Sequence, residues 1–490
     1  MGRRAGRTGR ERCGAAGWQA LARITAVAAA LCASSAVLPG PVAVAAPDVP
    51  SYAFADDVRT APAATGTSDA VRLEPGATYR SSLEGEKKAY YRLELDGMSN
   101  TYVSVTAVPR ADAELSVGAG ITVSVQDSDS ASCSRDSVTV GASKSPQPIT
   151  AWGARELLPG KGLCQEAGTY YVIVERTGTG TGTGNGSGAG SGDGSGAGSG
   201  DGDRTDLATE ESEESWELEL AAVSEPALKK AAATSVPEAW NSATPTPPAA
   251  EPVTVRGGAG FARATAVEQG VWSDEIVPGQ TLFYKVPVDW GRQVSAAVDL
   301  GSADKDSGYV VDALDMTLYN PVRAEVTNAS VGYGGSQKSA ALPPVPPVRY
   351  VNRYAPTDPT NSLRFAGSYY LVVHLAAQVD ERFGDGPYGL TLRVGLGGTT
   401  QDGPGYAHRS VPRGFFDVGA PDPEPSAGGA GGDTASGGDA SGGDPAMKAV
   451  AVGGIGAGSV LLTVLGVWTL TARRRAAAAQ IRANAQNPTA

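Results

Sequence analysis

Residues 167–174 read Ala-Gly-Thr-Tyr-Tyr-Val-Ile-Val, and residues 366–373 read Ala-Gly-Ser-Tyr-Tyr-Leu-Val-Val. An apolar run of this length, entered through Gly and rich in aromatic and β-branched side chains, is a strand signature. Two copies far apart in one chain point to a duplicated unit. A closing strand follows each copy, Trp216-Glu217-Leu218-Glu219-Leu220 in the first half and Tyr388-Gly389-Leu390-Thr391-Leu392 in the second. Upstream, Tyr90-Tyr91-Arg92-Leu93-Glu94-Leu95-Asp96 is answered by Phe283-Tyr284-Lys285-Val286-Pro287-Val288-Asp289, and Val103-Ser104-Val105 by Val294-Ser295-Ala296. Middle strands are expected at residues 121–125 and 314–318. The matches keep one order in both halves.

Segments such as Trp-Glu-Leu-Glu-Leu alternate with period two, so the expectation is half-buried strands with Leu218 and Leu220 inward and Glu217 and Glu219 toward water. Long amphipathic helical patterns do not occur in either half. The predicted fold is all-β: two tandem β-sandwich or jelly-roll modules plus one C-terminal transmembrane helix. The predicted boundaries are a signal peptide at 1–45, a disordered leader at 46–70, module one at 71–225, and a linker at 226–252. Module two follows at 253–397, then a Gly/Pro/Asp-rich stalk at 398–448, the membrane helix at 449–472 and a cytoplasmic tail at 473–490. The Gly/Ser-rich run at 177–211 falls between the last two strands of module one, where module two has only residues 376–387. It reads as an expanded hairpin loop, which loop-closure entropy tolerates at about 0.6 kcal/mol per doubling of length.

The ends set the topology. Arg3, Arg4, Arg7, Arg10 and Arg12 precede a short apolar stretch and Ala43-Val44-Ala45, the pattern of an export signal cut after Ala45, with Ala53-Phe54-Ala55 as the alternative cut. The apolar run at 449–472 is about 36 Å long as a helix, enough to span a bilayer, and Arg473, Arg474 and Arg475 follow it. Positive-inside bias then puts the tail in the cytoplasm and the modules outside, as a single-pass type I protein of the cell membrane. Gly454 and Gly458 form a small-residue face on this helix, through which a membrane-protein partner or a second copy would pack. The full chain carries −12. Signal and tail contribute about +9, so the exported part is near −21, a surface unsuited to nucleic acid.

Cys133 and Cys164 are the cysteines left after signal removal. In an oxidising exterior a bridge between them is expected, stabilising the fold by about 3 to 4 kcal/mol. The alternative, a redox or metal-binding thiol pair, lacks Cys-x-x-Cys spacing and a nearby His.

A Gly ahead of a Tyr-[Lys/Arg]-hydrophobic strand, with a late Ala-Gly-[Ser/Thr]-Tyr-Tyr strand and a closing strand, resembles the bacterial pre-peptidase C-terminal domains. These are β-sandwich or jelly-roll modules appended to secreted enzymes. The second module, with Val277-Pro278-Gly279-Gln280 leading into Val286-Pro287-Val288-Asp289-Trp290-Gly291, is also similar to the region after the von Willebrand A domain in actinobacterial membrane-anchored proteins. The chain departs from both in lacking the partner domain: it has no peptidase motif and no Asp-x-Ser-x-Ser metal motif. The resemblance implies fold far more than activity.

Candidate chemistry is sparse. His374 lies in a late strand and His408 in the stalk, too far apart in pattern for a zinc site or a Ser-His-Asp arrangement. Asp127, Asp129 and Asp136, and separately Asp299, Asp304 and Asp306, offer oxygen-rich loops of the kind that hold calcium, without EF-hand spacing; solvated loops are the plainer reading. Tyr90, Tyr91, Tyr170, Tyr171, Tyr369, Tyr370 and Trp290 suggest a carbohydrate platform, or alternating core and edge positions. No catalytic, cofactor or metal residue is predicted. The expected function is a non-enzymatic cell-surface binding or accessory protein, with a cell-envelope polymer hydrolase using paired carboxylates as the alternative.

Overall fold

The computed structural model describes residues 52–418 apart from 86, 179–214, 236–238, 244–245, 247 and 304–307. The predicted signal, membrane helix with Gly454 and Gly458, and tail lie outside these residues. Among the described residues, no helix is long and apolar enough to cross a membrane.

Period-two alternation builds the longer of ten strands in the first half of the chain. The ten are β1 (Arg59–Thr60), β2 (Val71–Arg72), β3 (Thr78–Glu84), β4 (Ala89–Leu95), β5 (Asn100–Val108), β6 (Gly120–Asp127), β7 (Ser132–Thr139), β8 (Ile149–Arg155), β9 (Gly168–Thr177) and β10 (Ser215–Glu225). They form two sheets, β1-β3-β10-β5-β8 and β2-β4-β9-β6-β7. Apart from the β6–β7 hairpin, which stays within one sheet, the eight longer strands alternate between sheets and pair antiparallel, the arrangement of a jelly roll. β1 and β2 add short parallel edges.

The second half repeats this with β11 (Val253–Thr254), β12 (Thr265–Ala266), β13 (Gly270–Ile276), β14 (Thr281–Val288), β15 (Arg292–Leu300), β16 (Val310–Tyr319), β17 (Glu325–Tyr333), β18 (Lys338–Ala341), β19 (Gly367–Leu375) and β20 (Tyr388–Gly398). Its sheets are β11-β13-β20-β15-β18 and β12-β14-β19-β16-β17. Adding ten to every strand number of the first module reproduces the second. Each module has its own core between its sheets, around Tyr91, Val105, Val123, Val172 and Trp216 in the first and Tyr284, Val298, Met316, Leu371 and Leu390 in the second. Of each Tyr pair, one ring is buried (Tyr91, Tyr170, Tyr369) and its neighbour is half-buried on the other face.

Four expectations are corrected. The leader is not without structure from Tyr52 onward: β1 pairs with β3, Ala64 bridges Tyr90, and the Tyr52 ring packs edge-on against Phe283 at 5.8 Å. The aromatic anchors Tyr52 and Phe54 hold an Ala/Thr-rich stretch that composition alone assigns to disorder. The stalk does not begin at 398. Val411 bridges Ser224, Tyr406 bridges Leu228 in the supposed linker, and Phe416 stacks on Phe365 at 5.1 Å. β9 and β10, which flank the Gly/Ser-rich run, belong to opposite sheets and so are not the two arms of a hairpin; residues 179–214 of the run itself lie outside the described residues. Finally, Glu219 on β10 is 0% exposed rather than facing water.

Candidate functional site

The burial of Glu219 shows where the modules meet. Both sandwiches belong to one compact unit. The outward face of β10-β5-β8 turns toward the outward face of β14-β19-β16, so that Tyr102, Ala154 and Val223 of module one form a common apolar cluster with Val322, Ala324, Phe365 and Phe416. The seam between these faces carries buried polar groups at three places, charged at the first two.

At the first, Glu225 ends β10 with 0% exposure. Its carboxylate accepts from Asn100 Nδ2 and the Tyr102 hydroxyl, both at 2.8 Å, and from Arg353 at 2.7 Å and the Tyr406 hydroxyl at 2.8 Å. Burial alone would raise its pKa; the adjacent Arg353 and the other donors outweigh burial and hold it below the ordinary range. The single O–H of Tyr102 is shared with Glu156, whose Oε1 lies 2.9 Å away, and Glu156 pairs with buried Arg364 at 3.2 Å. A buried carboxylate is tolerated when its lone pairs are filled this way. Module one, module two and the segment after module two all supply donors.

At the second, Arg323 pairs with Glu219 at 2.5 Å and lies 4.6 Å from the centre of the Phe261 ring. At the third, Ser145 Oγ lies 2.9 Å from His374 Nε2, whose Nδ1 lies 2.9 Å from Thr281 Oγ1. A Ser-His contact invites a nucleophile reading. Here Ser145 and His374 are 1% and 2% exposed. The third group is a hydroxyl, the Ala377 N–H donates to Ser145 Oγ at 2.9 Å, and burial pushes the imidazole down to about 4. The arrangement pegs a module-one loop to the end of β19.

Between these contacts the seam opens into a cleft of about 410 Å³, walled by Ser104 and Val223 of module one and by Phe261, Lys285, Arg323 and Tyr370 of module two. A second cavity of about 210 Å³ gathers Asp312, Asp315 and Glu325. Burial, reinforced by Glu325 and Asp312, pushes Asp315 up to about 6, and burial together with Asp136 of module one raises Glu325.

The predicted residues are scattered around this seam. Cys133 and Cys164 form a disulfide with Cα atoms 5.7 Å apart. Asp127 accepts from the Asp129 and Ala131 N–H groups in the β6–β7 turn, Asp136 accepts from the Trp152 N–H, and Asp299 pairs with Arg393. The structure therefore separates Asp136 from the Asp127 turn. Asp304 and Asp306 lie outside the described residues, among which no group of three or more His, Cys, Asp or Glu is placed to hold a metal ion. Trp290 is 8% exposed, with its ring mainly in the module-two core. Sequence reasoning missed Glu225, Arg353, Glu219, Arg323 and Ser145. The available signal was two acidic residues on the outward face of a closing strand, which ordinarily marks water.

No protein-family model matches the chain, and no curated protein matches it. Among solved structures, it is similar to the N-terminal CBM22-1-CBM22-2 tandem domain of Xyn10C from Paenibacillus barcinonensis. The identity is 10% over 71% of this chain and 100% of that one, with a TM-score of 0.16. It is also similar to the CUB1-EGF-CUB2 domain of human MASP-1/3, at 7% identity over 64% and 99% with a TM-score of 0.15. Tripeptidyl peptidase 2 aligns at 8% identity over 66% of this chain and 24% of its own, with a TM-score of 0.18. At TM-scores this low the correspondences carry no weight for fold or function.

Proposed function

We propose that the chain is an exported, membrane-anchored surface protein whose fused modules, of pre-peptidase C-terminal type, act as a non-enzymatic binding or accessory unit. The supporting observation is the seam cleft. Two modules held together by buried ion pairs keep a concavity of ligand size between them, and joints between rigid domains are where such sites concentrate. Phe261 and Tyr370 supply apolar wall, while Asp56, Asp57, Arg263 and Lys285 supply charge of both signs. The Cys133–Cys164 disulfide is in keeping with an oxidising exterior. Anchoring by residues 449–472, and pairing through Gly454 and Gly458 with another membrane protein or a second copy, complete the proposal.

Photo-crosslinking on intact cells tests this reading. A crosslinking side chain at Ala221, beside the cleft, is expected to capture an envelope component. One at Arg92, on the far sheet of module one, is expected to capture none. Equal capture at both positions, or none at Ala221, would overturn the proposal.

A second reading rests on Asp315, whose raised carboxyl shares a cavity with Glu325 as an acid and its partner would in a polymer hydrolase. Release of soluble fragments from purified cell-envelope polymer by the full chain, abolished by Asp315→Asn, would favour it. No release would remove it.

A further inference from the structure

The segment after β20 builds a pocket that shares no wall residue with the seam cleft. Leu228 and Ser224 bridge Tyr406 and Val411, the Lys229 N–H donates to the Gly405 carbonyl, and the Gln401 N–H donates to the Trp290 carbonyl. These ties close a cavity of about 700 Å³ whose wall carries Lys229, Arg409 and Arg413 together with Trp290, Tyr406 and Phe416. Arg409 and Arg413 are exposed, as is Lys229. On this acidic chain, surface cations commonly have a carboxylate partner: Arg59 has Glu74, Arg80 has Glu217, Lys88 has Glu175, and Arg393 has Asp299. Lys229, Arg409 and Arg413 have no ion pair among the described residues, yet they line one cavity. A single carboxylate, Asp417, shares the wall with them.

We infer that this pocket binds a phosphate-bearing polyol or glycan polymer. Guanidinium groups fork onto phosphate oxygens, and an ammonium adds charge without directional demand. The concave shape and the half-buried Tyr406 in the wall suit a polyol or sugar unit beside the phosphate, whereas a flat lipid surface presents charge to an open face. Three cations on one wall offset, locally, the net repulsion that the rest of the exported chain exerts on a polyanion. The inference does not depend on the seam cleft, and the two are separable by mutation.

The test is isothermal titration of the full chain, in uncharged detergent, with poly(glycerol phosphate) and, separately, with micelles doped with phosphatidylglycerol. Saturable, salt-sensitive binding of the polymer is expected, weakened at least about tenfold in Arg409→Ala/Arg413→Ala. The same affinity should persist in Arg72→Ala/Arg135→Ala, which removes equal charge from the opposite side of module one. Unchanged melting curves show that both variants are folded. Three results would overturn the inference: no polymer binding, equal weakening by both double variants, or tighter binding to the anionic micelles than to the polymer.

Discussion

Glu225 accepts four hydrogen bonds from side chains that three separate parts of the chain supply. Removing one member of such a group leaves a buried charge without its counterpart. Glu225→Ala is therefore expected to lower stability by about 3 to 5 kcal/mol in urea unfolding, with Glu225→Leu/Arg353→Met recovering much of it. His374 and Asp315 oppose each other in pH dependence. His374 is depressed from 6.5 to about 4, so its contribution is complete above pH 6.5 and is lost as pH falls through about 4. Asp315 is raised from 3.8 to about 6, so the fold favours its protonated form and its contribution is lost as pH rises toward 6. Asp315→Asn is thus expected to add about 1 to 3 kcal/mol at pH 8 and to leave a steeper loss toward pH 4. Thermal melts from pH 8 to pH 4 read both effects, and an unchanged profile would contradict them. At this scale the sequence was informative where a residue's partner is local, as for the core member of each Tyr pair. It was uninformative for Glu219 and Glu225, because Arg323 and Arg353 lie more than a hundred residues away in loops without pattern.

The longer strands were readable because each carries enough alternation to separate an inward from an outward face. β9 and β19 announce themselves through paired Tyr and β-branched runs, and the closing strands through Leu at every second position. β1, β2, β11 and β12 span two residues each and carry no alternation, so only tertiary pairing creates them. Residues 398–418 misled for a related reason: Gly and Pro recur through them, and the few anchoring rings are too sparse to form a period. Phe416 is one such anchor, 2% exposed and stacked on Phe365. Phe416→Ala is expected to cost about 3 to 5 kcal/mol, as for a core ring. A melting temperature equal to that of the parent protein would return this stretch to the status of a stalk.

At the scale of the molecule, duplication produced two jelly rolls that meet through unlike faces. The outer face of β10-β5-β8 in the first lies against the outer face of β14-β19-β16 in the second, which is a heterologous contact rather than a two-fold one. Equivalent positions have diverged accordingly. Glu175 on β9 is paired with Lys88 at the surface, whereas His374 on β19 is enclosed by the first module. Beads on a string would melt independently; these modules share ion pairs, an aromatic cluster and a crossing segment. Differential scanning calorimetry of the full chain in uncharged detergent tests this fusion most directly. One cooperative transition spanning both sandwiches, with equal calorimetric and van't Hoff enthalpies, is the expected result. Two resolved transitions, with only one displaced by Glu225→Ala, would contradict it.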